Sequence, residues 1–227
     1  MMNFTANSIV PDSFQAFLVE GAHFTKTEEY PCIPDGIISS TTPKSIIPFD
    51  RAVTLRGDLS NTFICFYSPD KTFERIRKNP KKYISFFKRT AGIIGFDFSI
   101  HSDMPVIKQK SQMYDNLAFT YFFGKQGVPV IPNLRTGIAE LVPEYLEAIP
   151  KNTYVAIGTH GFIKGSADKY TWYEFIEMFL NVLHPKGVIV YGSLKNPLFY
   201  SLMKDTPFYC YKPWINAHWE EVHRRVN

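Results

Sequence analysis

A chain of 227 residues that is 45% hydrophobic and 16% aromatic can bury one sizeable core, and a net charge of +4 is too mild to imply a polyanion partner by itself. No uncharged apolar run approaches the ~18 residues of a membrane span, and the first residues lack the basic-then-apolar order of a secretory signal, so neither a span nor export is expected. Three widely spaced cysteines, Cys32, Cys65 and Cys210, lack zinc spacing; they read as free thiols, buried for Cys65 and Cys210, in a reducing, cytoplasmic setting.

Residues 1–60 are interrupted by Pro31, Pro34 and Pro43, with apolar patches at 14–19 and 46–49. They read as an N-terminal extension of short strands or turns packed on the main body, and residues 61–227 as a single domain of repeated βα units. The first clear strand is 63–67, followed by a helix capped by Asp70 or Thr72, broken at Asn79-Pro80 and resumed to about Arg89. The second strand, 92–97, runs into a polar stretch. Asp103 two residues ahead of Pro105 then fits the opening of a long helix over 104–124, with Val106, Ile107, Met113, Leu117 and Tyr121 on its inner stripe. A third strand over 128–133 is weakened by two prolines; a short helix spans 138–148. Strands at 153–159, 187–192 and 208–211 alternate with helices at 169–183 and after Asn196-Pro197. The tail, 217–225, reads as a terminal helix.

Strand tips fall near Tyr67, Asp97, Asn133, Thr159 and Gly192, about 30 residues apart, which is the length of one βαβ unit. The expected fold is therefore α/β with a mainly parallel sheet, forming a small or incomplete TIM-like barrel or, alternatively, an open doubly wound sheet. Either architecture places function at the carboxyl ends of the strands. Those ends carry Tyr67, Ser68 and Asp70; Asp97, Ser99, His101 and Asp103; Asn133 and Arg135; Thr159, His160 and Gly161; and Tyr191, Ser193 and Lys195.

Among them, Asp97 lies between Phe96 and Phe98, where desolvation would raise its pKa and suit a general base; it could equally order the loop by accepting amide hydrogen bonds. His160, in Gly-Thr-His-Gly, is an acid/base, a ligand or a hydrogen-bonded structural histidine. Asp97 and His160 are thus the catalytic candidates. Tyr67, Ser99, Asn133, Arg135, Thr159, Tyr191 and Ser193 are the ligand-binding candidates, with the Arg135 fork suited to phosphate or carboxylate. No metal site has spacing to support it, and no nucleotide-binding, nucleophile-elbow or zinc-protease signature occurs, which leaves the cofactor and the reaction open. One basic run stands out at 75–89. A solvated helix face explains it, or Arg75, Lys81, Lys82, Lys88 and Arg89 contact nucleic acid.

Several of these motifs, in order, resemble a known family. Phe73-Glu74-Arg75-Ile76 with Asn79-Pro80-Lys81-Lys82-Tyr83, Asp97-Phe98-Ser99 with Asp103-Met104-Pro105, Val130 through Arg135, Thr159-His160-Gly161 and Val190-Tyr191-Gly192-Ser193 are similar to domain-of-unknown-function family forty-four-seventeen, over roughly residues 43–211. The resemblance implies a phage, plasmid or bacterial origin and no particular activity. Three functions remain in play: an enzyme acting on a small anion such as a nucleotide or phosphorylated metabolite, a nucleic-acid-binding accessory protein of a mobile element, and a protein that sequesters its ligand without turnover.

Overall fold

The computed structural model describes residues 12 and 14–216, except 102, 136, 160–165 and 196, and only the backbone of 166–169. Among the described residues, seven strands alternate with helical segments. In chain order they are β1 (Ser45–Pro48), α1 (Phe49–Ala52), β2 (Thr62–Cys65), α2 (Glu74–Lys78), α3 (Ile84–Phe87), β3 (Gly92–Ile94), α4 (Val106–Lys125), β4 (Val130–Ile131), α5 (Val142–Glu147), β5 (Tyr154–Gly158), α6 (Ser166–Leu183), β6 (Gly187–Tyr191) and β7 (Phe208–Tyr211). Every ladder is parallel, as short apolar runs joined by helical crossovers require. No helix among the described residues is long and apolar enough to cross a membrane.

The strands follow chain order in space but form two sheets, β1-β2-β3-β4 and β5-β6-β7. The reason lies at β4. Its Val130 pairs with Ile38, and the Val130 carbonyl accepts the Ser39 amide, so the chain around 38–39 occupies that edge of β4 at the amino end. Farther along, β4 and β5 meet: Ala156 donates to Pro132, and Leu134 donates to Ala156, both at 2.8 Å. The fold is thus mixed α/β with parallel sheets, as expected, and no closed sheet is present among the described residues.

Three apolar clusters support this frame. One packs α4, α5 and α6 against β5 and β6; a second is built on phenylalanines, including Phe66, Phe73, Phe87, Phe96, Phe98 and Phe123; the third draws Ile46, Phe63, Ile94, Ile131, Ala156 and Ile189 from six successive strands. Residues 75–89 are not one helix. Asn79-Pro80 breaks them into α2, a 3-10 turn and α3.

Helix α4 departs most from expectation. Val106 and Ile107, expected on the inner stripe, are 44% and 72% exposed; the helix follows Pro105 with no side-chain cap, and Asp103 is exposed and caps nothing. Its buried face is instead partly polar. Thr120 Oγ1 accepts the Phe96 amide at 3.0 Å; the Asn116 side chain accepts the Phe98 amide at 2.6 Å and donates to the Phe98 carbonyl at 3.2 Å. Gln112 donates to the Ser99 carbonyl and Gln109 to the Met104 carbonyl. Side chains three or four residues apart thus hold an extended segment that has left the sheet. Two further expectations change. Asp70 opens a 3-10 turn rather than capping a helix, and its carboxylate accepts from Ser99; Cys210 is exposed on β7, whereas Cys65 is fully buried.

Replacing Asn116 by Leu keeps the volume but strands both polar groups of Phe98 in a buried setting. We expect a loss of about 2–6 kcal/mol, at roughly 1–3 kcal/mol for each of the two unsatisfied groups, read as a lowered midpoint in urea. A change below about 0.5 kcal/mol would show that the extended segment does not depend on the helix.

Candidate functional site

The alternation Phe96-Asp97-Phe98 sets the first residue of the site. Both rings lie in the phenylalanine cluster, and strand-like alternation turns Asp97 to the opposite side. There its carboxylate accepts from Asn133 Nδ2 at 2.8 Å and from Arg135 at 3.3 Å. Asn133 is held on every side: its amide nitrogen also donates to the Phe96 carbonyl, its side-chain oxygen accepts from the Tyr67 hydroxyl at 2.8 Å, and its backbone carbonyl accepts from the Tyr145 hydroxyl at 2.9 Å. Two glycines make room. A Cβ on Gly158 would come within 2.5 Å of the Tyr67 ring, and one on Gly95 within 2.8 Å of the Asn133 backbone nitrogen.

The tips of β2, β3 and β4 therefore converge through Tyr67, Asp97, Asn133 and Arg135. The neighbouring tips are in contact with them. The Tyr67 ring stacks on Tyr191 with centroids 5.3 Å apart, and Thr159 Oγ1 accepts the Ser193 amide at 2.9 Å. Ser99 stands slightly aside, its hydroxyl bonded to Asp70 at 2.8 Å. His160 and Gly161 lie outside the described residues. His101, Asp103 and Lys195 are exposed and join none of these contacts.

Burial pushes the Asp97 carboxyl above the ordinary aspartate range, and the nearby Arg135 guanidinium and Asn133 amide pull it partly back. Burial raises the Tyr67 phenol well above its usual value, with Asp97 adding to the shift, and raises Tyr145 and Tyr191 too. The centre is thus a 5%-exposed guanidinium and a 7%-exposed carboxylate ringed by neutral phenols. A pair this buried is a costly way to stabilise a fold, since apolar side chains of similar volume would serve as well or better. Chemically, it can exchange a proton at Asp97 and present a cation to an anion.

No sequence pattern singles out Tyr145. It sits on α5 rather than at a strand tip, and a tyrosine in an apolar stretch carries no sign of its target. The basic run also resolves differently. Arg77 is engaged inward by Asp115 at 2.7 Å, by Gln112 at 2.8 Å and by the Phe98 ring at 3.9 Å. Arg75 and Lys81 lie over Phe49 and Phe17, at 4.9 and 4.4 Å. Lys82, Lys88 and Arg89 are exposed.

A sequence profile of the family described as "Domain of unknown function (DUF4417)" matches residues 26–209. The chain is also similar to the Gene 1 protein of Mycobacterium phage L5, at 21% identity over 131 residues, which make up 58% of this chain and 57% of that protein. The match thus spans little more than half of that relative. No solved structure matches the chain.

Because a raised carboxyl pKa means that the native state favours the protonated acid, the contribution of Asp97 to stability is full below its unfolded value of about 3.9 and is lost as pH rises through its folded value. Urea unfolding of wild type and Asp97→Asn across pH should show the wild-type advantage shrinking as pH rises. An advantage that grows with pH would mean that Arg135 and Asn133 outweigh burial.

Proposed function

We propose, for a chain that belongs to the DUF4417 family of domains of unknown function, that it binds a small anionic ligand, a nucleotide or a phosphorylated metabolite, at the carboxyl ends of its strands. The observation that carries this reading is the buried Asp97–Arg135 pair held at two adjacent strand tips. Arg135 positions the anionic group of the ligand, exchanging its 3.3 Å contact with Asp97 for the incoming oxygens. Asp97, released from that contact and desolvated, is the acid–base group. Tyr67, Tyr191, Thr159 and Ser193 form the wall beside it, and His160 follows Thr159 directly in the chain.

The setting is read as an incomplete barrel. Its support is an interior cluster fed by successive strands, and a 2.6 Å hydrogen bond from the Tyr211 hydroxyl at the end of β7 to the Pro43 carbonyl just ahead of β1. Three free cysteines suit a reducing, cytoplasmic compartment, and similarity to a phage protein suits a mobile-element origin.

The test is thermal shift and calorimetry with adenosine monophosphate, ribose 5-phosphate and inorganic phosphate. Arg135→Lys keeps the charge and loses the fork, so affinity should fall at least roughly ten-fold, about the 1.5–3 kcal/mol of a charged hydrogen bond. Asp97→Asn, assayed as folded protein, should keep binding and lose any turnover; binding with no turnover in wild type would identify a sequestering protein. Normal binding by Arg135→Lys overturns the assignment.

The exposure of Lys82, Lys88 and Arg89 on one excursion favours a second reading, a nucleic-acid contact. Lys88→Glu with Arg89→Glu should then weaken DNA or RNA binding and reduce the salt slope by about one for each phosphate no longer neutralised. An unchanged slope reduces the run to a solvated face.

A further inference from the structure

At the end of the sheet opposite the proposed site, the separation of β4 from β5 leaves an opening. A pocket of about 270 Å³ lies there, lined by the loop around Ser39 and Ser40 and by the amino ends of β5 and β6. Its walls carry Lys151 just ahead of β5 and Lys186 just ahead of β6, against a single carboxylate, Asp35. Neither lysine makes an ion pair among the described residues.

The backbone supplies a further donor. The amide and carbonyl of Ala156 face β4, and the Thr159 amide faces β6, so alternation along β5 points the Tyr154 amide toward β4 as well. At that level β4 is already occupied, because Val130 accepts from Ser39. The Tyr154 amide makes no bond to another backbone group there among the described residues, and Tyr154 lines the pocket. Two ammonium groups and a strand amide without a ladder partner form a donor-rich recess, whereas the Ser39 and Thr153 hydroxyls already donate to the Thr41 and Pro150 carbonyls.

We infer that this recess is a second ligand site, which takes a small phosphate ester or free phosphate through Lys151, Lys186 and the Tyr154 amide. It is separate from the Arg135 site and does not rest on that reading. An exposed lysine pair alone would attract any anion weakly; the amide at the splayed edge gives the site direction, since an oxyanion can complete the ladder that the chain at 38–39 interrupts.

The experiment is titration of the full-length ¹⁵N-labelled protein with inorganic phosphate and glycerol 3-phosphate at constant ionic strength, on wild type, Lys151→Gln/Lys186→Gln and Arg135→Lys. The expected result is a saturable shift of the Tyr154 amide, weakened at least ten-fold by the double lysine change and unaffected by Arg135→Lys. Both lysines are exposed, so the double variant should fold as wild type does. A Tyr154 amide that does not move, or shifts that survive the lysine changes and vanish with Arg135→Lys, would overturn the second site; the latter result would leave the first one standing.

Discussion

Everything at the carboxyl end depends on how one extended segment satisfies its backbone. After Ile94 the chain leaves β3, yet it stays buried as far as Phe98, where unpaired amides and carbonyls are expensive. Helix α4 replaces the missing strand with side chains: Thr120 and Asn116 take the amides of Phe96 and Phe98, and Asn116 and Gln112 serve the carbonyls beyond. With its backbone held, the segment keeps strand-like alternation. Two phenylalanines enter the aromatic cluster, and the carboxylate between them points the other way.

That carboxylate then governs its neighbours. A buried charge needs a partner, and Arg135 and Asn133 arrive from the next strand tip because β3 and β4 are parallel and in register. Asn133 ties Tyr67, Asp97 and Tyr145 together through its side chain and its backbone carbonyl. The same asparagine stands next to the point where β4 and β5 rejoin, since it bridges to Ala156. Polar network and sheet junction are thus one structure, and disturbing either reaches the other.

The junction also explains why the two ends differ. At the carboxyl end, β4 and β5 are stitched by backbone bonds and covered by packed side chains. At the amino end, the chain at 38–39 holds them apart and a pocket remains. This cavity therefore lies away from the buried charges.

The sequence by itself determined the parts that local chemistry fixes. Short apolar runs bounded by glycine and proline located six of the strands, and their spacing implied parallel βα units. Phe96-Asp97-Phe98 and the polar residues at the tips marked the positions that meet at Asn133, because alternation and parallel crossovers follow from backbone geometry alone. Only the tertiary structure decided who partners whom. Gln109, Gln112, Asn116 and Thr120 carry no local sign of the backbone groups they serve, which lie on another segment. Arg77 reads as one more surface cation until Asp115 and Phe98 enclose it. The division of the sheet was invisible for the same reason: it depends on Ile38 reaching Val130 across 92 residues of chain, a contact that no local pattern encodes.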